Sequence, residues 1–152
     1  MSFRKLRVYL AGDVSRSRWR QRIAEECQDL PLEFLGPIDG IDYAGIHIAN
    51  SFHPMFHVAD KLKLDHADIV FAYLTSGSGS VFSGTSWECG YAHALGKPVI
   101  VVNDMPDLES RLYALVTRMA TSYTESLDYG ITLLRALGEE MSFRHSCLGS
   151  ES

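Results

Sequence analysis

Short apolar runs alternate along the chain with longer stretches in which apolar residues recur at spacings of three and four. The apolar runs are typical of buried β-strands, and five of them occur, over residues 6–11, 32–35, 69–74, 99–102 and 120–123. The periodic stretches predict helices over residues 16–28, 54–66, 84–95, 104–117 and 125–137. This alternation indicates a parallel sheet that is covered by helices on both faces.

Chain length and connection handedness narrow the architecture to one fold class. The 152 residues suffice for a single domain with a sizeable core. Right-handed crossovers then favour an α/β fold, a flavodoxin-like three-layer sandwich whose five-stranded parallel sheet has the order 2-1-3-4-5. We expect residues 1–138 to form this domain and the polar residues 139–152 to form a flexible tail.

The helix predicted over residues 54–66 begins at a proline, which suits the first turn of a helix. Its apolar residues indicate which face is buried. We expect Phe56, Val58 and Leu62 to point toward the sheet.

Composition and charge argue against several classes of function. The net charge of −5 disfavours binding of a nucleic-acid polymer, which requires a basic face. No apolar run approaches a membrane span, and the N-terminus lacks the apolar core of a signal peptide, so no membrane association is expected. Cys27, Cys89 and Cys147 form no close pair, so neither a disulfide framework nor a zinc site is expected. The expected location is the cytoplasm.

In a sheet of this order, ligands bind at the carboxyl ends of the strands, near the switch point between strands one and three. Gly12 and Asp13 follow strand one and reach this edge, as does the glycine- and serine-rich loop over residues 75–85. That loop can cradle a phosphate or form a lid. Phe82, Ser83 and Gly84 lie near the end of this loop, and we expect them to bind the substrate together with Gly12 and Asp13. The chain has neither a P-loop nor a dinucleotide fingerprint, so no cofactor is expected.

One carboxylate, Glu88, lies at the start of the helix after this loop, where the chain crosses the ligand edge. A carboxylate in such a position can act as a nucleophile. The same residue also fits a capping box, in which Thr85 caps the helix and Glu88 accepts from the backbone N–H of that cap. The spacing leaves both roles open.

Two further side chains can assist Glu88. Tyr9 lies near the carboxyl end of strand one, where its hydroxyl can fix one carboxylate oxygen and leave the other free. It can equally be a core tyrosine. Asp60 lies in the half of its helix nearer the ligand edge, because that helix runs antiparallel to the next strand; the alternative is a solvent-facing position.

Two histidines on the same helix raise the question of a metal site. His53 and His57 are four apart and could bind a metal together with Asp60. Since no matching third histidine or metal motif follows, no metal is predicted, and His57 is assigned to the pocket wall.

Three segments of the chain resemble the nucleoside 2-deoxyribosyltransferase family. They are Val8–Gly12, His66–Ala72, and Gly84–Ala92 with Gly96–Lys97–Pro98. The resemblance implies a homo-oligomer that cleaves the N-glycosidic bond of a nucleoside or nucleotide and uses a free nucleobase as acceptor. It implies that Glu88 matches the nucleophile, that Tyr9 matches the tyrosine that orients it, and that Asp60 matches an aspartate near the leaving base.

The chain departs from the family pattern at two positions. Deoxyribosyltransferases usually carry an aspartate two residues before the glycine of the Gly-Thr pair; this chain has Phe82 there, and related nucleotide N-glycosidases often have serine. Asp13 stands where the family commonly has a residue that approaches the base. The identity of the base and of the acceptor therefore stays open.

These observations lead us to expect a retaining double displacement at the deoxyribose C1′, through a glycosyl ester of Glu88, with transfer of the sugar to another base. One alternative is a nucleoside 5′-monophosphate N-glycosidase in which the loop over residues 76–83 holds the phosphate. A second is a non-catalytic nucleotide-binding module in which Glu88 caps the helix.

Overall fold

Five strands and five helices alternate in the computed structural model, which describes residues 4–12, 18–36, 54–75, 82–104 and 111–149. The strands are β1 (Leu6–Gly12), β2 (Leu32–Leu35), β3 (Ile69–Leu74), β4 (Val99–Asn103) and β5 (Ser122–Thr124). The helices are α1 (Arg18–Glu26), α2 (Pro54–His66), α3 (Phe82–Ala94), α4 (Arg111–Met119) and α5 (Leu127–Gly149). The predicted bounds of β2, α2 and β3 are confirmed, and the other elements differ from the prediction at one or both ends.

All five strands are parallel, and their order in the sheet is β2-β1-β3-β4-β5. This confirms the predicted flavodoxin-like order. β1 lies between β2 and β3, so that Tyr9 is paired with Leu35 on one side and with Val70 on the other. The last residues of β1, β3 and β4 therefore lie side by side along one edge of the sheet.

Each face of the sheet carries its own hydrophobic core, because successive side chains of a strand point to opposite faces. On one face, Tyr9 and Val70 belong to a core that also contains buried residues of α3 and α4. On the other face, Val8 and Leu10 pack with buried residues of α1 and α5. The result is the predicted three-layer arrangement.

α2 buries a different face from the predicted one. Val58 and Leu62 are 45% and 55% exposed, whereas Leu64 is fully buried. The side chain of Phe56 lies outside the described residues. Apolar residues occur on more than one side of this helix, so the sequence alone does not show which side is buried. The side that contains Leu64, which is followed by Ala67 after the helix, faces the sheet.

Lys97 fixes the end of α2. Its Nζ donates to the carbonyl oxygens of Leu64, Asp65 and Ala67, at 2.6, 2.8 and 2.7 Å. Carbonyl groups in the last turn of a helix lack intrahelical donors, and the helix dipole favours a cation there. The lysine of the Gly-Lys-Pro segment thus holds the helix that carries Asp60.

Two glycines allow α5 to lie close to the layers beneath it. A Cβ on Gly130 would stand 2.5 Å from Val102 Cγ2, and a Cβ on Gly138 would stand 2.9 Å from Leu30 Cδ1. Both distances are shorter than carbon atoms tolerate, so these positions fix which face of α5 points inward.

α5 continues well past the position at which the sequence analysis ended it. The helix reaches Gly149, so residues 139–149 are helical, whereas a flexible tail was expected from residue 139. Polar composition does not prevent a helix that has charge pairs one turn apart, such as Arg144 and Glu140 at 2.9 Å. Within the described ranges, no helix is both long and apolar enough to cross a membrane.

Candidate active site

A buried tyrosine and a buried glutamate meet near the carboxyl edge of the sheet. Tyr9, in β1, is fully buried, and Glu88, in α3, is 7% exposed. Tyr9 Oη donates a hydrogen bond of 2.7 Å to Glu88 Oε1. The bond orients the carboxylate through one of its two oxygens.

The helix that carries Glu88 begins earlier than the sequence predicted. α3 starts at Phe82, so Thr85 lies inside the helix and Glu88 lies in its second turn. A capping box requires Thr85 to be the residue just before the first turn. The capping role of Glu88 is therefore wrong. Glycine and serine are poor helix formers, which is why the residues around Gly84 were assigned to the loop.

Burial makes Glu88 a weak acid. Removal of the carboxyl from water raises its pKa from 4.5 to about 8. The hydrogen bond from Tyr9 opposes this rise, the charge of Asp60 adds to it, and the charge of Arg20 opposes it. A carboxyl that exchanges its proton near neutral pH, beside a specific donor, is a common feature of functional sites.

Asp60 acts electrostatically on both members of this pair. It is half-buried on α2, and its negative charge raises the pKa of Tyr9 as well as that of Glu88. For Tyr9 the largest cause of the raised pKa is burial, followed by the charges of Glu88 and Asp60. Tyr9 therefore remains a neutral donor at physiological pH. The fold brings the three residues into one neighbourhood.

Arg20, which was not predicted from the sequence, supplies a positive charge to this neighbourhood. Its side chain is 8% exposed, and its Nη2 donates to Gly12 O at 2.9 Å and to Leu10 O at 3.3 Å. The guanidinium carbon lies 4.4 Å from the centroid of the Trp19 ring. Arg20 therefore holds the end of β1, the strand that carries Tyr9.

A signal for Arg20 was present in the sequence. The apolar stripe of α1 consists of Trp19, Ile23 and Cys27, and Arg20 stands three residues before Ile23, beside that stripe. A charged residue next to the buried face of a short helix is a candidate for a buried cation.

A second set of hydrogen-bonded polar side chains lies along the same edge of the sheet, at the ends of β3 and β4. Tyr73 Oη and Thr75 Oγ1 both donate to Asp104 Oδ2, at 2.5 and 3.2 Å. The rings of Tyr73 and Trp19 meet edge to face, with centroids 5.2 Å apart. This contact links the polar group to the residue on which Arg20 stacks.

Gly12, a predicted substrate-binding residue, ends β1 at the same edge. Its φ is +151°, and a Cβ there would stand 2.8 Å from Tyr73 O and 2.9 Å from Trp19 Cζ2. The end of β1 and the Trp19 ring therefore approach each other as closely as a glycine permits. Any larger residue would clash with the carbonyl of Tyr73 and with the Trp19 ring.

The remaining predicted site residues differ in how much the structure shows of them. Gly84 is exposed in the first turn of α3, and a Cβ there would meet nothing within 4 Å. The backbones of His57, Phe82 and Ser83 lie in helices. Outside the described residues lie Asp13, His53 and the side chains of His57, Phe82 and Ser83. Within the described part of the chain, no three His, Cys, Asp or Glu residues are grouped to hold a metal ion.

Several solved structures share this fold. A conserved protein from Enterococcus faecalis V583 is 17% identical, with a TM-score of 0.60 over 92% of this chain and 99% of that one. A 2-deoxyribosyltransferase from the psychrotolerant bacterium Bacillus psychrosaccharolyticus is 19% identical, with a TM-score of 0.58 over 80% and 88% of the two chains. A CMP N-glycosidase from Clostridium botulinum is 16% identical, with a TM-score of 0.56 over 86% and 98%.

Comparison with family models gives a more specific result than comparison with single proteins. No curated protein sequence matches the chain significantly. The model described as nucleoside 2-deoxyribosyltransferase matches residues 8–132, which include both Tyr9 and Glu88. The chain therefore belongs to the nucleoside 2-deoxyribosyltransferase family.

Proposed function

We propose that this protein cleaves the N-glycosidic bond of a deoxynucleoside through a covalent ester on Glu88 and transfers the sugar to another base. The observation that carries the proposal is the 2.7 Å hydrogen bond from Tyr9 to Glu88. It holds a buried carboxylate at the sheet edge where α/β proteins of this topology bind ligands. Family membership supports the reaction class, and the residues and substrate are our assignment.

In the first step, the ionised Glu88 attacks C1′ of the sugar. The C1′–O bond forms as the C1′–N bond breaks, and the electron pair of the broken bond goes to the base nitrogen. That nitrogen takes a proton, which we assign to Asp60. In the second step, a nitrogen of the acceptor base attacks C1′ from the face that the first base left, its proton passes to the Asp60 carboxylate, and Glu88 leaves as a carboxylate. Two inversions give net retention.

The charges at the site suit this sequence of steps. The transition state carries positive charge on the sugar, and an ionised Glu88 stabilises it electrostatically as well as by bonding. Because the charge of Asp60 raises the pKa of Glu88, a proton on Asp60 favours ionisation of Glu88. The state with a protonated Asp60 and an ionised Glu88 is therefore the one prepared for attack and for protonation of the base.

A second candidate reaction is hydrolysis of a nucleoside 5′-monophosphate. The likeness in fold to a CMP N-glycosidase supports it, and Phe82 in place of the usual aspartate is compatible with it. The non-catalytic alternative loses its basis in Glu88, because α3 begins before Thr85 and that glutamate is not a cap.

We also propose that the protein is a homo-oligomer, with a nucleoside or nucleotide and a free nucleobase as its small-molecule partners. Trp87, on α3, is 42% exposed although its ring is stacked on that of Tyr91, with the ring centroids 5.6 Å apart. Val58 and Leu62, on α2, are exposed as well. Exposed aromatic and aliphatic side chains of this size are typical of surfaces that bind another protein.

The test is a panel of deoxynucleosides and deoxynucleotides, each incubated with and without a free base and resolved by chromatography. The proposal expects a new nucleoside when a base is added. Release of free base from a 5′-monophosphate, with no exchange, would favour the hydrolase. Binding without turnover of any compound would contradict both reactions. Glu88→Gln serves as the matched control for contaminating activity.

A further inference from the structure

The second half of α5 extends beyond the part of the helix that packs on the sheet. Its inward contacts run through Leu134 and Gly138, the latter against Leu30. Beyond them, Phe143 and Leu148 are 66% and 61% exposed. A helical segment of this length is marginally stable in water when nothing packs against it. Its helical state and its exposed apolar side chains therefore call for a partner.

An apolar cleft lies beside the first half of the same helix. It has a volume of about 470 Å³ and lies at the amino ends of β3, β4 and β5. Its walls include Ile69, Pro98, Ile100 and Thr121 from the sheet side and Leu133 and Leu137 from α5. This edge is opposite to the one that holds Tyr9 and Glu88.

One stripe of α5 joins the cleft to the extended segment. Leu133, Leu137, Glu140, Arg144 and Leu148 follow one another at spacings of four, three, four and four, which places them on one side of an α-helix. Leu137 is 38% exposed at the cleft, and Leu148 is exposed at the other end. The stripe is therefore apolar at both ends, with one acidic and one basic residue between them.

We propose that this stripe, the α5 stripe, is an interface with a second copy of the chain, whose α5 packs antiparallel across a two-fold axis that passes the stripe at the level of residue 142. Charge selects the direction. In a parallel pair, Glu140 would face Glu140 and Arg144 would face Arg144, which is repulsive. In the antiparallel pair, Glu140 of each copy faces Arg144 of the other.

The antiparallel register also provides an occupant for the cleft. With the axis at the level of residue 142, Leu148 of one copy lies opposite Ala136 of the other, and Ala136 is at the cleft. The interface is isologous, as expected of a two-fold dimer. It goes beyond the proposed reaction and does not depend on it, because the stripe lies away from the edge that holds Glu88.

The test uses two single charge reversals, Glu140→Arg and Arg144→Glu, and their mixture. Each single variant places like charges opposite each other at both crossings, so we expect its dissociation constant to rise at least about 10-fold. At a protein concentration between the wild-type and variant dissociation constants, the mass measured by light scattering should then fall toward half the wild-type value for each variant. An equimolar mixture of the two should recover the wild-type mass as a mixed species, because in it every Glu faces an Arg.

The mixture separates this proposal from an effect within one helix. Glu140 and Arg144 also pair within the same chain, and each single variant loses that pair. Mixing cannot restore it, so recovery on mixing requires contact between copies. Leu148→Asp should lower the mass as well, and Ser146→Arg, which adds a positive charge roughly 120° around the helix from Glu140, should leave it unchanged.

The outcomes that overturn the proposal are equally specific. They are a wild-type protein that is monomeric at all concentrations, single variants with the wild-type mass, and a mixture in which no mixed species forms. Far-ultraviolet circular dichroism monitors helix content in every variant. Base exchange by the single variants is measured in parallel and is expected to continue, so failure here is distinguishable from failure of the proposed reaction.

Discussion

Tyr9 Oη lies 2.7 Å from Glu88 Oε1, and the two residues come from different layers of the fold. Tyr9 points from β1 into the core that β1 shares with α3, and Glu88 meets it from the helix side. Removal from water destabilises the Glu88 carboxylate, and the tyrosine hydroxyl offsets part of that cost by donating to it.

Tyr9→Phe should impair catalysis and shift its pH dependence. The substitution removes the hydrogen bond that lowers the pKa of Glu88, so the rise of kcat/KM with pH should move to higher pH. A hydrogen bond to a charged group contributes about 1.5–3 kcal/mol, which corresponds to a loss of roughly 10- to 100-fold. The measurement is kcat/KM from pH 5 to 9. An unchanged profile would show that Tyr9 does not act on Glu88.

Arg20→Gln should move the same profile in the same direction, because the positive charge of Arg20 also lowers the pKa of Glu88. We regard Arg20 as a positioning residue that acts through Glu88 and through the end of β1. Arg20→Lys retains the charge and should recover part of the shift.

Asp60→Asn provides the opposite control for Arg20. The negative charge of Asp60 raises the pKa of Glu88, so removal of that charge should move the rise in kcat/KM to lower pH, even if the maximal rate falls. If Arg20→Gln and Asp60→Asn both lowered the rate without opposite shifts in pH, neither residue would act on Glu88 through its charge.

Glu88→Gln should remove a pH dependence of stability. The pKa of Glu88 is about 8 in the folded protein and near 4.5 when unfolded, so the folded state binds the proton more tightly. The stabilisation is fully present below pH 4.5 and is lost as the pH rises toward and through 8. Urea unfolding of the wild type at pH 5 and pH 8.5 should show this loss. Glu88→Gln should lack it and be the more stable protein at pH 8.5.

Gly130→Ala should destabilise the protein, because the added Cβ would stand 2.5 Å from Val102 Cγ2. Overpacking of this kind costs about 1–3 kcal/mol of unfolding free energy. Gly84→Ala is the matched control in α3, where an added Cβ meets nothing within 4 Å; alanine should be neutral there or stabilise the helix by up to about 1 kcal/mol. Equal stabilities of the two variants would contradict the observed packing of α5.

The sheet order could be predicted from the sequence because β3 and β4 are continuous apolar runs, such as Ile69–Leu74, that fit a strand buried on both faces. Helix limits were harder to predict. Phe82 starts α3 before two residues of low helix propensity, and α5 continues through residues that bury little apolar surface. In both cases the limits of the helix could not be read from local helix propensity and apolar spacing alone.

The candidate site, too, could be predicted from the sequence only in part. Tyr9, Asp60 and Glu88 could be assigned because topology places their elements at one edge and the family resemblance names their types. Arg20 was not assigned, because a charged residue on a short helix usually faces water, and its place beside the apolar stripe of α1 is only a weak signal of burial. The pKa of Glu88 depends on its burial, and burial of a single carboxyl is a property of the folded packing.

The most direct test of the proposed mechanism is the rate of base exchange by Glu88→Gln compared with the wild type, on a deoxynucleoside that the panel identifies as a substrate. Glutamine keeps the shape of the side chain and cannot form the glycosyl ester. We predict that exchange falls by at least about 10³-fold while the variant stays folded. A variant that exchanges bases within about tenfold of the wild-type rate would contradict Glu88 as the nucleophile.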